Sequence, residues 1–255
     1  MKRQSILLIT GWARPPSALA ALADALHREH IVRITSPAAL LAAHGGPASE
    51  EAAAGTPSPY AQALRRLLEE SDQPAILAGW SMGGLIALET LAGSPAGIAG
   101  LVLLSSTARL CATDGYPCGP PSESLRAMRR SILRAPLAAL AEFLTAVHAP
   151  ETPAPAQLQT EARESLAAGL EVLLHGMAYL ATADQRAALA HIRRPALVVH
   201  GALDRIIPCT AGQHLARSIP GAIERIDPAA GHALPVARPD ETAKNLLDFI
   251  RDHVP

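Results

Sequence analysis

The sequence predicts an α/β fold, with a mainly parallel, doubly wound sheet carrying an inserted helical cap. Three observations lead there. Short β-rich runs at 5–9, 31–35, 75–78, 101–104, 196–200 and 222–226 alternate with helix-length segments, the rhythm of a parallel sheet whose crossovers are helices. The runs are nearly continuous in Ile, Leu and Val, as strands buried on both faces require. The rhythm fails once, between Ser105 and Arg194, where helical patterns punctuated by Pro136, Pro150, Pro153 and Pro155 contain no convincing strand.

Each element has its local reason. Ile6-Leu7-Leu8-Ile9 follows Met1-Lys2-Arg3 as the core of a secretory leader would. The run is too short for one and Gly11-Trp12 closes it, so it reads as a buried strand. After the second strand, 36–59 is rich in Ala, Gly and Pro with weak periodicity and reads as a loop. The third strand runs into Gly79-Trp80-Ser81-Met82-Gly83 and then a helical pattern. The fourth leads into the cap, 107–193. The fifth ends at Gly201-Ala202-Leu203-Asp204, and the sixth is followed by Gly231-His232-Ala233 and a terminal helix beginning near Pro239. With no internal repeat and one sheet rhythm, residues 1–255 are expected to form a single domain.

Composition narrows the function classes. Hydrophobic residues make up 49% of the chain and charged residues 18%, a globular balance that excludes a disordered or fibrous protein. A formal net charge of -1 supplies no field of either sign to attract nucleic acid or an anionic membrane. No apolar stretch reaches the length of a bilayer span. The three cysteines, Cys111, Cys118 and Cys209, are odd in number and lack paired metal-ligand spacing, which fits a reducing cytoplasm without a zinc site. A cytoplasmic monomer is expected.

The chemistry-bearing motif is Gly79-Trp80-Ser81-Met82-Gly83, a G-x-S-x-G lying between a strand and a helix. There the sharp turn exposes the serine, and its close neighbours must lack side chains. A serine hydroxyl needs a base, and the base an acid. In the chain order nucleophile, acid, base, the catalytic candidates are Ser81, Asp204 and His232. Asp227 and Asp240 compete for the acid role, but Asp227 closely precedes the base and Asp240 looks like a cap of the terminal helix. The other nine histidines, His200 among them, lack the Gly-His setting and read as surface or packing residues. The backbone N–H groups of Met82 and Trp12 are the expected oxyanion donors. Trp12, Trp80 and Phe143 are expected to line the acyl pocket, although both tryptophans also read as core. In the cap, Leu125, Met128 and Ile132 fall on one side of a helix and Arg126, Arg130 and Arg134 along the other, with Arg129 at the border, so that four arginines crowd one short helix. Such a face is either ordinary solvated surface or a grip for phosphate or an acidic protein.

These residues resemble the pimeloyl-acyl-carrier-protein methyl ester esterases of biotin synthesis, within the α/β-hydrolases. The likeness rests on Gly11-Trp12, on Gly79-Trp80-Ser81-Met82-Gly83-Gly84-Leu85, on Gly169-Leu170-Glu171-Val172-Leu173, and on the stretch from Arg194-Pro195 to Leu234-Pro235. Two features depart from the family pattern: Ser36-Pro37-Ala38 replaces Asp-x-x-Gly-x-Gly, and Glu142 stands where a basic residue is expected. The resemblance implies a serine esterase that hydrolyses the methyl ester of a pimeloyl chain on acyl carrier protein. It needs no cofactor or metal, and the four arginines would meet the acidic carrier. A general short-chain carboxylesterase or thioesterase is the first alternative, and a non-catalytic binding protein of the same fold the second.

Overall fold

The structure, a computed structural model, describes residues 3–47, 56–93 and 97–255. Six strands, β1 (Ser5–Ile9), β2 (Ile31–Thr35), β3 (Ala75–Trp80), β4 (Ile98–Leu104), β5 (Ala196–Gly201) and β6 (Ile223–Asp227), form one sheet. Their order is β2-β1-β3-β4-β5-β6, and every neighbouring pair is parallel. This is the α/β-hydrolase fold. Parallel neighbours need crossovers, which α1 (Ala20–His27), α3 (Pro59–Glu69), α4 (Met82–Ala92) and α9 (Cys209–Ser218) supply, with α11 (Pro239–His253) closing the chain.

The period of two along the strands divides the core. Leu7, Ile9, Leu77, Leu101, Leu103 and Val198 face α3, α4 and α9, where Leu64, Leu85 and Leu215 meet them. Ile6, Leu8, Ile76, Val102, Leu104 and Val199 face α1 and α11, against Leu22, Leu26, Leu246 and Phe249. Burial on both faces holds for β1, β3, β5 and most of β4. It lapses at β2 and β6, where several residues are exposed, because they are the sheet's two edges. Ile31 at the start of β2 is 46% exposed.

The expected loop at 36–59 is corrected in its first part. Helix α2 (Pro37–His44) begins there, capped by the Ser36 hydroxyl, which accepts from the Ala39 N–H at 3.1 Å, and ended by Gly45 at φ 113°. Leu40 and Leu41 bury it against α3 in the core on that face of the sheet. Its short, almost wholly apolar sequence gives no polar face, so periodicity does not reveal it. Residues 48–55 of that stretch lie outside the described residues.

Between β4 and β5 the chain makes α5 (Ser122–Arg134), α6 (Pro136–His148), α7 (Pro155–Leu166) and α8 (Leu170–Thr182). Pro136 and Pro155 open their helices, at a position where a missing N–H costs nothing. A short helix α10 (Leu234–Ala237) precedes α11. Among the described residues, no single helix is long and apolar enough to cross a membrane.

Leu77 sits fully buried at the middle of β3. Leu77→Ala is expected to lower the unfolding free energy by about 2–5 kcal/mol, measured by urea denaturation. A change under about 1 kcal/mol would show that the layer beneath α3 and α4 closes around the cavity.

Candidate active site

Ser81 leaves the end of β3 at φ 55° and ψ -120°, a conformation that costs a non-glycine residue of order 1–3 kcal/mol. Crowding holds it there. A methyl group on Gly79 would run into the backbone of Gly83 and Gly84, and one on Gly83 would strike the Ile9 and Thr10 carbonyls of β1. Gly84 lies against Ser106, whose hydroxyl donates to the Ser81 carbonyl at 2.8 Å. The Ser81 N–H in turn donates to the Leu104 carbonyl at 2.9 Å. The glycines therefore let α4 approach β1 closely, and the turn that results carries Ser81 at the carboxyl edge of the sheet.

The Trp12 loop comes to the same point from β1. A side chain on Gly11 would stand 3.1 Å from the Ser81 Cβ. The N–H groups of Trp12 and Met82 take part in none of the hydrogen bonds found among the described residues. Ala13 also has positive φ, at 57°, so this loop is strained as well. Its conformation is fixed from outside. Arg14 donates to the Glu161 carboxylate at 2.6 Å, His148 Nε2 lies 2.8 Å from the same oxygen, and Ser165 donates to the Ala13 carbonyl at 2.5 Å. Burial of the Glu161 carboxyl favours its neutral form, yet His148 and Arg14 outweigh this and lower its pKa to about 2.

His232 and Asp204 meet across two loops at the same edge. His232 Nδ1 lies 2.8 Å from Asp204 Oδ2, and both side chains are almost fully buried. Asp204 Oδ1 accepts from the backbone N–H groups of Ile206 and Ile207 at 2.8 and 2.9 Å. Burial opposes ionisation of this carboxyl, but the His232 and His200 imidazoles hold it well below the usual carboxylate range. The competing acids are engaged elsewhere. Asp227 accepts from the Ala229 and Ala230 N–H groups, shaping the loop that leads to His232. Asp240 lies in the first turn of α11 and makes no cap bond.

The two tryptophans differ from each other. Trp12 is wedged beneath α8, where its indole donates to the Leu173 carbonyl at 2.9 Å and Gly176 leaves room for the ring. Phe143 meets it edge-on at 5.1 Å. Trp12 lines a cavity of about 180 Å³ together with Gly11, Arg14, Tyr60, Val172 and Gly176. Trp80, expected in the pocket wall, is instead 1% exposed within the sheet's other core. Its indole donates to the His232 carbonyl at 2.9 Å, so it fastens the histidine loop to the residue before Ser81.

Arg126, Arg129, Arg130 and Arg134 are all exposed along α5. Arg126 pairs with Glu123, and Arg129 borders a recess of about 690 Å³ along α8 that also reaches Glu89, Glu171, His175 and Tyr179. Leu144, Val147, Leu173 and Met177 are core residues, with Phe143, Leu170 and Leu174 only partly buried beside them. Sequence reasoning missed Arg14, Glu161, His148 and His200. The last two are buried polar partners rather than surface or packing residues. Arg14 and Glu161 stand 147 residues apart, and no local pattern couples them.

Fold and site together describe an enzyme, a carboxylic ester hydrolase. Residues 6–245 match the model of the alpha/beta hydrolase family, to which the chain belongs. It is 30% identical over 267 residues to a pimeloyl-acyl-carrier-protein methyl ester esterase of Aromatoleum aromaticum, covering 98% of this chain and all of that one. A protein of the same name from Chromobacterium violaceum is 30% identical over 89% of this chain and 87% of its own. Among solved structures, a bromoperoxidase from Bacillus anthracis superposes with a TM-score of 0.86 at 20% identity, covering 98% of this chain and 93% of its own. An esterase from Exiguobacterium antarcticum gives 0.82 at 18%, covering 98% and 92%.

The Glu161 carboxylate makes stability depend on acid. Its pKa is depressed on folding, so its contribution is fully present above the unfolded carboxylate value of about 4.3 and is lost as pH falls toward about 2. Thermal midpoints measured between these limits should fall more steeply for the wild type than for Glu161→Gln. Parallel curves would show that the Arg14 and His148 contacts contribute no net stability.

Proposed function

We propose that this chain is a cytoplasmic serine esterase that hydrolyses the methyl ester of a pimeloyl chain carried on acyl carrier protein. The observation that carries the chemistry is the His232–Asp204 pair at 2.8 Å, at the same edge of the sheet as a serine held at positive φ on a strand-to-helix turn. In this reading His232 takes the Ser81 proton as the oxygen attacks the ester carbonyl, and Asp204 stabilises the resulting imidazolium. The Trp12 and Met82 N–H groups receive the oxyanion. Methanol departs with the proton returned by His232, and water then releases the acid.

The substrate rests on the full-length likeness to the esterase of Aromatoleum aromaticum. Helices α5–α8 act as a cap, and their exposed Arg126, Arg129, Arg130 and Arg134 supply a cationic face for an acidic carrier. A second reading has its own support. The cavity bounded by Gly11 and Trp12 encloses about 180 Å³, less than the roughly 300–1,000 Å³ usual for ligand pockets, a size that favours a small acyl group over a long carried chain.

Ser81→Ala should lower kcat by roughly ten-thousand-fold or more with an unchanged melting temperature. Undiminished hydrolysis would remove Ser81 from the reading. Reversing the four arginines to glutamate should reduce kcat/KM for methyl pimeloyl-acyl carrier protein far more than for a free methyl ester, and the wild-type preference should shrink with salt. A wild-type ratio near one at every salt concentration favours the short-chain esterase.

A further inference from the structure

A second histidine stands against the acid. His200 is the penultimate residue of β5, four residues before Asp204, and its side chain has no exposure to solvent. Its Nε2 lies 2.9 Å from the Ile207 carbonyl oxygen and 3.2 Å from Asp204 Oδ2, the oxygen that faces His232. A carbonyl oxygen only accepts, so the proton of His200 belongs on Nε2. Nδ1 faces Gly212 of α9 and has no hydrogen-bond partner. A proton there would be a buried orphan donor, the costlier arrangement, so one tautomer is selected.

The two contacts act on the carboxylate in concert. The Nε2–H brings a positive dipole to the oxygen used by His232. It also holds the carbonyl of Ile207, the residue whose backbone N–H donates to Asp204 Oδ1 at 2.9 Å. Among the described residues, the Cys209 thiol at the start of α9 also faces Asp204, and burial pushes it up and keeps it uncharged. On the His232 side, Arg14 lies over the Trp80 ring and is paired with Glu161.

We infer that His200 is a positioning residue for the Asp204–His232 pair, setting how much of the carboxylate's charge is available to the imidazolium. The inference rests on the catalytic roles proposed above. Sharing the carboxylate with His200 weakens its support of His232, so removing the Nε2–H strengthens that support. The acid limb of the kcat/KM profile then moves to higher pH. Loss of the Ile207 clamp at the same time lowers kcat through poorer orientation, with KM little changed.

The test is the pH dependence of kcat/KM on a free methyl ester for wild type, His200→Leu and His200→Gln. In the leucine variant the acid limb should rise by about half a unit or more. Glutamine, which keeps an N–H donor, should recover most of the rate and the wild-type limb. If leucine prevents folding, Gly212→Ala takes its place, because the added methyl group displaces the His200 ring while leaving its chemistry intact. It should shift the limb in the same direction. A loss of rate in leucine and glutamine variants alike, with the limb unmoved, overturns the inference and leaves His200 as packing. Activity retained by Ser81→Ala removes the underlying catalytic reading instead, so the two failures are told apart.

Discussion

The molecule is organised around how closely α4 can approach β1. Gly83 must pass against the Ile9 and Thr10 carbonyls, and Gly79 against Gly84, or Ser81 cannot hold positive φ at the end of β3. That proximity depends on the largely buried parallel strands beneath it, which β1, β3 and β4 provide. The strain at Ser81 is a local cost of order 1–3 kcal/mol. It is offset by the surrounding sheet, and it leaves the serine at an edge where three other loops converge.

Those loops are fastened to the helices that follow β4 and to the end of β3. The Trp12 loop is held by Arg14 and Ser165 against α6 and α7, while the His232 loop is held by the Trp80 indole and by the Val147 carbonyl, which accepts from the Ala233 N–H at 3.1 Å. Gly231 is needed because the Ala149 carbonyl lies against it. The end of α6 therefore contacts both the side of the site that supplies N–H groups and the side that supplies the imidazole. A displacement of α6 would be felt at both, which couples the α5–α8 segment to the chemistry beneath it.

The parts legible in sequence are those governed by short-range pattern. Strands read from runs of Ile, Leu and Val fall within a few residues of the observed ones, and the Gly79–Gly83 motif has meaning because a strand precedes it and a helix follows. The strand reading overstates burial at β2 and β6, since composition does not say which strand lies at an edge. Helix α2 escaped because an apolar helix of eight residues lacks a polar stripe, although Ser36-Pro37 and Gly45 mark its two ends. Trp80 was placed in the pocket by its neighbour's role, but alternation along β3 turns it into the opposite core.

The sequence by itself determined the strand and helix rhythm, the position of the strained turn, and the identities of Ser81, Asp204 and His232 as candidates in their chain order. Backbone propensity, side-chain periodicity and the steric need for glycine all act over a few residues, so they are written locally. Tertiary structure alone decided that Arg14 finds Glu161 and His148, that His200 shares the Asp204 oxygen with His232, and that Trp80 fastens rather than lines. Apart from His200 and Asp204, which lie four residues apart, these are contacts between buried polar groups distant in the chain. They exist because leaving a buried polar group unpaired is costly once water is excluded, and which partner it finds depends on the packing of whole elements.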